Sequence, residues 1–223
     1  MFKKYQKRIV LFLLFVFPLI CFLLLSTGEN NFTKLDVISS DVKDIALISP
    51  TSNTTFKDNI SVVCFLGNEI NKSESGILNL DEKVYKKFLD YKKFQVIAIY
   101  PQQRKPEADE LIKKISKFTN MQNWKFIGMS ESQIKELYTS FKVLKPLVNM
   151  YSQKAFIIDK FGKLRGRKND GKEKDELLSG YDLNSISELN DKLKDDLKVL
   201  YYEYYAAFKE RNKNKADRKE VGK

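Results

Sequence analysis

Two short runs of mostly apolar residues constrain the fold of this chain more than any other feature. They are residues 61–66 (SVVCFL) and 94–100 (FQVIAIY), and each has the length of one strand. A strand without regular polar alternation is typical of a sheet that is covered on both faces. Between the two runs, Leu80, Val84 and Phe88 recur at helical spacing. We therefore expect two buried strands, a polar loop over residues 68–76, and a helix that begins near Leu80.

The rest of the chain continues this alternation of strands and helices. The further elements are an edge hairpin (45–59), a helix (106–118), a short strand (124–127), a helix capped by Ser130, a β-hairpin (155–167) and a last helix from Ser185. Ser130 with Gln133, and Ser185 with Glu188, have the spacing of capping boxes. The order of elements predicts an α/β fold with a mixed central sheet flanked by helices.

The N-terminal segment has the pattern of a membrane anchor. Residues 1–8 carry four bases, and residues 9–25 contain no charge and can be extended to residue 28. That length is close to the ~20 residues that span a bilayer, and the basic flank predicts a cytoplasmic N-terminus. We expect an uncleaved anchor over 9–28 and a tether over 29–44, with a cleaved signal peptide as the alternative. The anchor places the lipid bilayer among the partners of this chain.

Charge and histidine content exclude several classes of function. The formal charge is +11, but four bases lie in the first eight residues and seven bases lie in the last fifteen. Because this charge is at the ends of the chain, we do not expect nucleic-acid binding. The chain contains no histidine, which rules out Ser-His-Asp and Cys-His catalysis and the usual zinc centres.

Four segments in order resemble the Sco/SenC branch of the thioredoxin superfamily. They are SVVCFLG (61–67), FQVIAIYPQQRKPEADELIKKI (94–115), NWKFIGMSESQIKELYTSFKV (123–143) and AFIIDKFGKLRGRKNDG (155–171). The resemblance spans residues 45–197 and implies a thioredoxin-like domain, located on the outer side of a bacterial inner membrane. Beyond it, the helical spacing of apolar residues and the bases at the end of the chain predict a helical extension with a basic tail over residues 198–223.

The residues that bind copper in the Sco/SenC family are absent from this chain. The family uses a Cys-x-x-x-Cys loop and a distant histidine, whereas the corresponding segments here read NEINKSESG (68–76) and LVNMYSQK (147–154). The resemblance therefore implies a degenerate active-site loop, with no catalytic residue, metal ligand or cofactor. That loop contains Asn68, Glu69, Ile70, Asn71 and Glu74.

Cys64 is the only thiol of the predicted domain. Because it lies within a buried strand, we expect an inert side chain, although a redox role for this thiol is an alternative. A soft-metal site that draws on Met129, Met150 or Cys64 is a second alternative. Glu69 and Glu74 are expected to be solvated rather than to act as an acid–base pair.

One apolar stripe runs from Ile186 to Phe208 at helical spacing, and tyrosines surround its second half. Two interpretations stay open here: a surface for a lipid headgroup region or an acidic partner, or aromatic residues that pack on their own domain. The candidate surface consists of Tyr201, Tyr202, Tyr204, Tyr205 and Phe208.

The sequence thus predicts a membrane-anchored, exported protein of Sco/SenC type that works by binding and is not an enzyme. A role in assembling cytochrome c oxidase follows from the resemblance alone, and the expected partner is a respiratory-oxidase or envelope protein. The alternatives are a thiol-redox or copper-carrying protein that uses Cys64, and a structural envelope protein that acts through its C-terminal helix.

Overall fold

The computed structural model describes residues 2–26, 34–168 and 177–221. The chain divides into two units, Met1–Thr33 and Lys34–Lys223. The first unit contains one helix, α1 (Phe2–Ser26), with Pro18 inside it. Within the described ranges, no helix combines the length and the hydropathy that a membrane span requires.

The second unit alternates strands and helices as predicted. The strands are β1 (Asp36–Ser39), β2 (Ile60–Phe65), β3 (Phe94–Pro101), β4 (Trp124–Met129), β5 (Lys154–Ile158), β6 (Leu164–Gly166) and β7 (Tyr181–Asp182). The helices are α2 (Ile45–Ile48), α3 (Ile70–Leu80), α4 (Lys86–Phe88), α5 (Lys105–Ile115), α6 (Glu131–Ser140) and α7 (Lys194–Val221). One π-helical turn (Asp81–Tyr85) joins α3 to α4, and another (Glu188–Leu193) leads into α7.

The sheet is mixed, with strand order β1-β6-β5-β2-β3-β4, and β7 pairs with β5. Strands β2, β3 and β4 are parallel to one another. Strands β5, β6 and β1 continue the sheet in antiparallel fashion on the other side of β2. Every residue of β2 and β3 is buried, which confirms the interpretation of the two apolar runs.

Hydrophobic clusters lie on both faces of the sheet. On one face, Val62 and Cys64 of β2 pack in a cluster with residues of α3, α5 and α7. On the other face, Val63 and Phe65 pack with residues of α2 and α6. Successive residues of a strand point to opposite faces, so β2 contributes to both clusters. The sheet is therefore covered by helices on its two sides, as the sequence predicts.

The predicted tether over residues 29–44 was wrong for its second part. Asp36 and Val37 of β1 pair with Gly166 and Arg165 of β6, and the preceding Leu35 is buried. The strand has four residues and pairs along one edge only, so its sequence lacks a strong strand pattern. Residues 29–33 lie outside the described residues.

The predicted edge hairpin over residues 45–59 was also wrong, because residues Ile45–Ile48 form helix α2. The Asp44 carboxylate explains this. It caps α2 by accepting the N–H of Ala46 at 3.0 Å, and it accepts the hydroxyl of Thr55 at 2.7 Å and the N–H of Phe56 at 3.1 Å. A single side chain therefore starts the helix and holds the turn that follows it.

Helix α3 begins at Ile70, where the sequence predicts a loop. Its buried face consists of Ile70, Ser73, Gly76, Ile77 and Leu80. The hydroxyl of Ser73 donates to the carbonyl of Ile70 at 2.7 Å. Gly76 lies so close to Leu183 that a Cβ added at Gly76 would be 2.8 Å from the Cβ of Leu183, so this approach requires glycine. Because two of the five buried residues are Ser and Gly, hydropathy does not reveal this helix.

The predicted capping box of α6 and the predicted turn between β5 and β6 are confirmed, whereas the predicted capping box at Ser185 is present only in part. Ser130 accepts the N–H of Gln133, whose side chain accepts the N–H of Ser130 in return, which is a complete capping box. In the β5–β6 turn the N–H of Gly162 donates to the carbonyl of Asp159 at 2.9 Å. Ser185 caps the N–H of Glu188 at 3.2 Å, but the Glu188 carboxylate accepts the N–H of Asp182 instead of completing a box.

Asp81 is a buried carboxylate in the first π-helical turn, and its titration has a testable consequence. Trp124 Nε1 donates to Asp81 Oδ1 at 3.2 Å, yet burial raises the pKa of Asp81 above its usual value of 3.8. A carboxyl group with a raised pKa in the folded state binds its proton more tightly there, so folding loses stability as the pH rises through and above 3.8.

The variant Asp81→Asn should therefore be more stable than wild type at pH 7, with the difference shrinking towards pH 4. The amide oxygen still accepts from Trp124 and carries no charge that burial penalises. Urea unfolding at a series of pH values measures this difference. In the control Glu82→Gln the sign should be opposite, because Lys86 lowers the pKa of exposed Glu82. A wild type that is more stable than Asp81→Asn at pH 7 would contradict the prediction.

Candidate functional site

Three polar side chains meet at the carboxyl ends of the parallel strands. Asn68 follows β2, Gln103 follows β3, and Glu131 follows β4. Asn68 Nδ2 donates to Glu131 Oε1 at 3.2 Å, and Gln103 Nε2 donates to Asn68 Oδ1 at 3.4 Å. This edge of an open α/β sheet is where ligands generally bind. We call these three residues the polar cluster.

A second chain segment lies directly beside the end of β2. The N–H of Asn68 donates to the carbonyl of Asn149 at 2.9 Å, and the N–H of Ser152 donates to the carbonyl of Phe65 at 3.1 Å. Gly67 has a φ of +74°, and a Cβ at this position would lie 2.5 Å from the Cβ of Tyr151. Any other residue at position 67 would be strained at this φ and would push Tyr151 away from the end of β2, so the position requires glycine.

Residues 148–151 form a tight turn next to the polar cluster. Val148 and Tyr151 exchange two main-chain hydrogen bonds, of 3.1 and 2.9 Å. The central residues Asn149 and Met150 have φ values of 51° and 61°, which is the pattern of a type I′ turn. Methionine in this region is strained by about 1 kcal/mol. The strain is offset by the burial of Met150, which packs in the same cluster as Phe65. Backbone strain of this kind concentrates at functional sites.

Cys64 is completely enclosed, as the sequence predicts. Its exposed fraction is 0%, and burial raises the pKa of its thiol far above the ordinary range. A thiol in this setting stays protonated at neutral pH and is a poor nucleophile.

The structure separates the three residues of the alternative soft-metal site. Cys64 belongs to the cluster on one face of the sheet, whereas Met129 and Met150 belong to the cluster on the other. These residues cannot bind one ion together across a packed sheet.

Glu69 and Glu74 do not form an acid–base pair in the structure. Glu69 is exposed and lies 2.6 Å from the amine of Lys72, and Glu74 lies 2.7 Å from the amine of Lys114. Each carboxylate has its own lysine, and exposed ion pairs of this kind contribute little to stability.

The other residues of the predicted degenerate loop have separate environments. Asn68 lies in the polar cluster, Ile70 is a buried residue at the start of α3, and Asn71 is exposed on the first turn of that helix. Of the five residues predicted for this loop, only Asn68 and Glu69 lie in a connecting loop, because α3 begins at Ile70.

Sequence reasoning missed Gln103, Glu131, Asn149 and Tyr151 as site residues. A usable signal was present for two of them, since Gln103 and Glu131 come directly after predicted strands whose carboxyl ends share one edge. Asn149 and Tyr151 lie in a turn that has no sequence signature as strong as Asn-Gly.

The structure divides the aromatic residues of the C-terminal helix into two groups. Tyr201 packs against Phe88 and Tyr91, with ring centroids 6.0 and 4.7 Å apart. Lys160 Nζ lies 4.0 Å from the ring centroid of Tyr204. Burial raises the pKa of both tyrosines. For these two residues the structure favours packing on their own domain. The exposed group consists of Tyr202, Tyr205 and Phe208.

A buried ionic cluster fastens the same helix to the sheet. The guanidinium of Arg165 on β6 lies 3.0 Å from an oxygen of Asp159 and 2.7 Å from an oxygen of Glu203 on α7, and it donates to the carbonyl of Leu35 at 2.6 Å. Leu200 of α7 is fully buried. The domain therefore extends beyond residue 197, where the sequence places its end.

No family model matches this chain, and no curated protein matches its sequence. Solved structures do show similarity. BsSco, a member of the Sco family of cytochrome c oxidase assembly proteins, is 14% identical, with a TM-score of 0.48 over 75% of this chain and 98% of that chain. An SCO1/SenC family lipoprotein from Bacillus anthracis is 17% identical, with a TM-score of 0.42 over 65% of this chain and 83% of that chain.

A third similar structure is the thioredoxin domain of a thiol-disulfide oxidoreductase from Bacteroides vulgatus. It is 13% identical, with a TM-score of 0.41 over 74% of this chain and 98% of that chain. In the present chain the central strand β2 is parallel to β3, which follows it after α3 and α4, and antiparallel to β5 of the β5–β6 hairpin on its other side. This strand order and direction define a thioredoxin-like α/β fold. Sco/SenC proteins are among its structural neighbours, as the resemblance predicted.

Proposed function

We propose that this chain is a binding protein of thioredoxin-like fold that acts through surface contacts and not through thiol or metal chemistry. One observation carries the proposal. At the carboxyl end of β2 the chain presents the amide and carboxylate groups of Asn68, Gln103 and Glu131, while Cys64 is enclosed within the sheet.

The polar cluster suits recognition of main-chain groups in a partner protein. The amides of Asn68 and Gln103 each have donors and acceptors, and the Glu131 carboxylate accepts only. Gln103 is exposed, so its amide is accessible from solvent. Groups of this kind can bond the N–H and C=O groups of an approaching segment without transferring electrons or protons.

The proposal includes an anchored, exported location and a role in assembling a respiratory oxidase. The anchor rests on the uncharged run and its basic flank in the sequence. The assembly role rests on the Sco/SenC resemblance, and oxidase assembly is the function stated for the BsSco family. The competing possibility is a redox or copper-carrying role for Cys64, which the burial and raised pKa of that thiol disfavour.

Complementation in the cell from which the chain derives tests this proposal. A strain that lacks the chain should contain less assembled oxidase, measured as haem a absorbance of its membranes. The wild-type chain and Cys64→Ala should both restore the absorbance, because the thiol has no part in the function. Glu131→Lys should not restore it, since the substitution reverses the charge of the polar cluster.

The matched control is Glu136→Lys, on the same helix, where the wild-type carboxylate pairs with Lys43 at 2.6 Å and lies outside the polar cluster. This variant should restore the absorbance. A Cys64→Ala chain that accumulates normally but fails to complement would overturn the proposal and favour thiol chemistry.

A further inference from the structure

An apolar groove lies between α6 and residues 142–150. Its volume is about 370 Å³, and Tyr138, Thr139, Leu147 and Met150 contribute to its walls. Met150 also belongs to the tight turn of residues 148–151, in which the carbonyl of Asn149 accepts the N–H of Asn68 from the polar cluster.

The segment that borders this groove is unusually apolar for an exposed connection. Five of the six residues 143–148 are apolar, Leu144 is 95% exposed and Val148 is 67% exposed. Contiguous exposed apolar surface typically marks an interaction site.

The main chain of the same segment has unused hydrogen-bond donors. Among the residues that the structure describes, the N–H groups of Leu144, Lys145 and Leu147 have no acceptor. An extended peptide can supply carbonyl acceptors to such groups while its side chains enter the groove.

The charge at the rim of the groove defines the partner further. Lys135 lines the groove and Lys145 lies on its border. Over the described ranges, no ion pair involves Lys135 or Lys145, and the neighbouring carboxylates of Glu136 and Asp41 pair with Lys43 and Lys142 instead. A ligand that complements this rim carries negative charge.

We propose that the groove binds an extended segment of a partner protein that carries apolar side chains and at least one carboxylate. This inference rests on the proposed binding function and specifies the chemistry of the partner. A membrane surface fits less well, since lipid chains leave the N–H groups of the segment unpaired. A symmetric second copy fits less well too, because it brings the same lysines together across the interface.

A selection from a phage library of random ten-residue peptides on the full-length chain in mild detergent tests the inference. Enriched peptides should combine apolar residues with Asp or Glu. Their dissociation constants, measured by fluorescence polarisation, should rise about tenfold or more for the double variant Leu144→Ser/Val148→Ser. For acidic peptides, the double variant Lys135→Glu/Lys145→Glu should raise the dissociation constant by a similar factor. A selection on this variant should enrich basic peptides.

The matched control is Leu47→Ser on α2, which removes a leucine that is 79% exposed and does not line the groove. It should leave every dissociation constant within about twofold. Melting temperatures near that of wild type show that the serine variants fold, as the exposure of Leu144 and Val148 leads us to expect.

Several results would overturn the inference. They are an absence of enriched peptides, enriched peptides without acidic residues, and peptides that bind the Leu144→Ser/Val148→Ser variant as well as wild type. Self-association that this variant abolishes would assign the groove to a second copy, and groove-dependent binding of phosphatidylglycerol vesicles would assign it to a membrane. Failure of the proposed function would be seen in a different experiment, because the Cys64→Ala chain would then not restore the haem a absorbance.

Discussion

A chain that ends after Leu200 should lose most of its stability, whereas a chain that ends after Phe208 should remain folded. The shorter chain lacks Tyr201, Glu203 and Tyr204, which all contact the domain. Without Glu203, the buried guanidinium of Arg165 keeps one carboxylate partner instead of two, and the N–H of Leu35 loses the acceptor that it has at 2.7 Å.

The expected loss is about 5 kcal/mol. Hydrogen bonds to charged groups contribute about 1.5–3 kcal/mol each, and each half-buried tyrosine contributes about 1 kcal/mol more. A loss of this size is comparable with the whole stability of many domains. Urea unfolding of the two truncated chains, followed by circular dichroism, measures the difference.

The chain that ends after Phe208 is the matched control, since it keeps all three contacting residues and should stay within about 1 kcal/mol of wild type. If the chain ending after Leu200 unfolds at the same urea concentration as wild type, the contacts of Tyr201 and Tyr204 are dispensable. The aromatic end of α7 would then be interpreted as a partner surface only.

The central strands and the hairpin could be predicted because their signals are local. Residues 61–66 and 94–100 are apolar throughout a strand length, and Asp159 and Gly162 stand at the ends of a tight turn. The N-terminus of α6 could be predicted for the same reason, because Ser130 and Gln133 satisfy each other within four residues.

The elements that sequence reasoning missed depend on distant residues. Strand β1 pairs along the open edge of β6, and α3 packs closely at Gly76 against Leu183, which is more than a hundred residues away in the sequence. Helix α2 depends on contacts of Asp44 with Thr55 and Phe56, more than ten residues away. Patterns of hydropathy along the chain contain none of these contacts.

The features of the site also divide into those with a local sequence signal and those that depend on distant residues. The burial of Cys64 follows from its place in an apolar strand and could be predicted. The polar cluster could be predicted only in part. The sequence places Gln103 and Glu131 after strands whose carboxyl ends share one edge, but the hydrogen bonds that join their side chains to Asn68 have no local pattern. The contact of Glu203 with Arg165 joins residues that are 38 positions apart, and no local pattern links them.

The enclosure of Cys64 has the largest consequence for function, because it sets the accessibility of the only domain thiol. In the variant Cys21→Ser, N-ethylmaleimide can react with Cys64 alone. A fully buried thiol reacts only when the structure opens, and each 1.4 kcal/mol of opening free energy slows the reaction about tenfold. We expect modification of the folded chain to be at least about 10³-fold slower than in denaturant.

The most direct test of the account is therefore the rate at which N-ethylmaleimide modifies Cys64 in the folded Cys21→Ser chain at neutral pH, followed by mass spectrometry. The account predicts an unmodified thiol after hours under native conditions and complete modification within minutes in guanidinium. Equal rates in the two conditions, with native circular dichroism retained, would show an accessible thiol and contradict a function that works by binding alone.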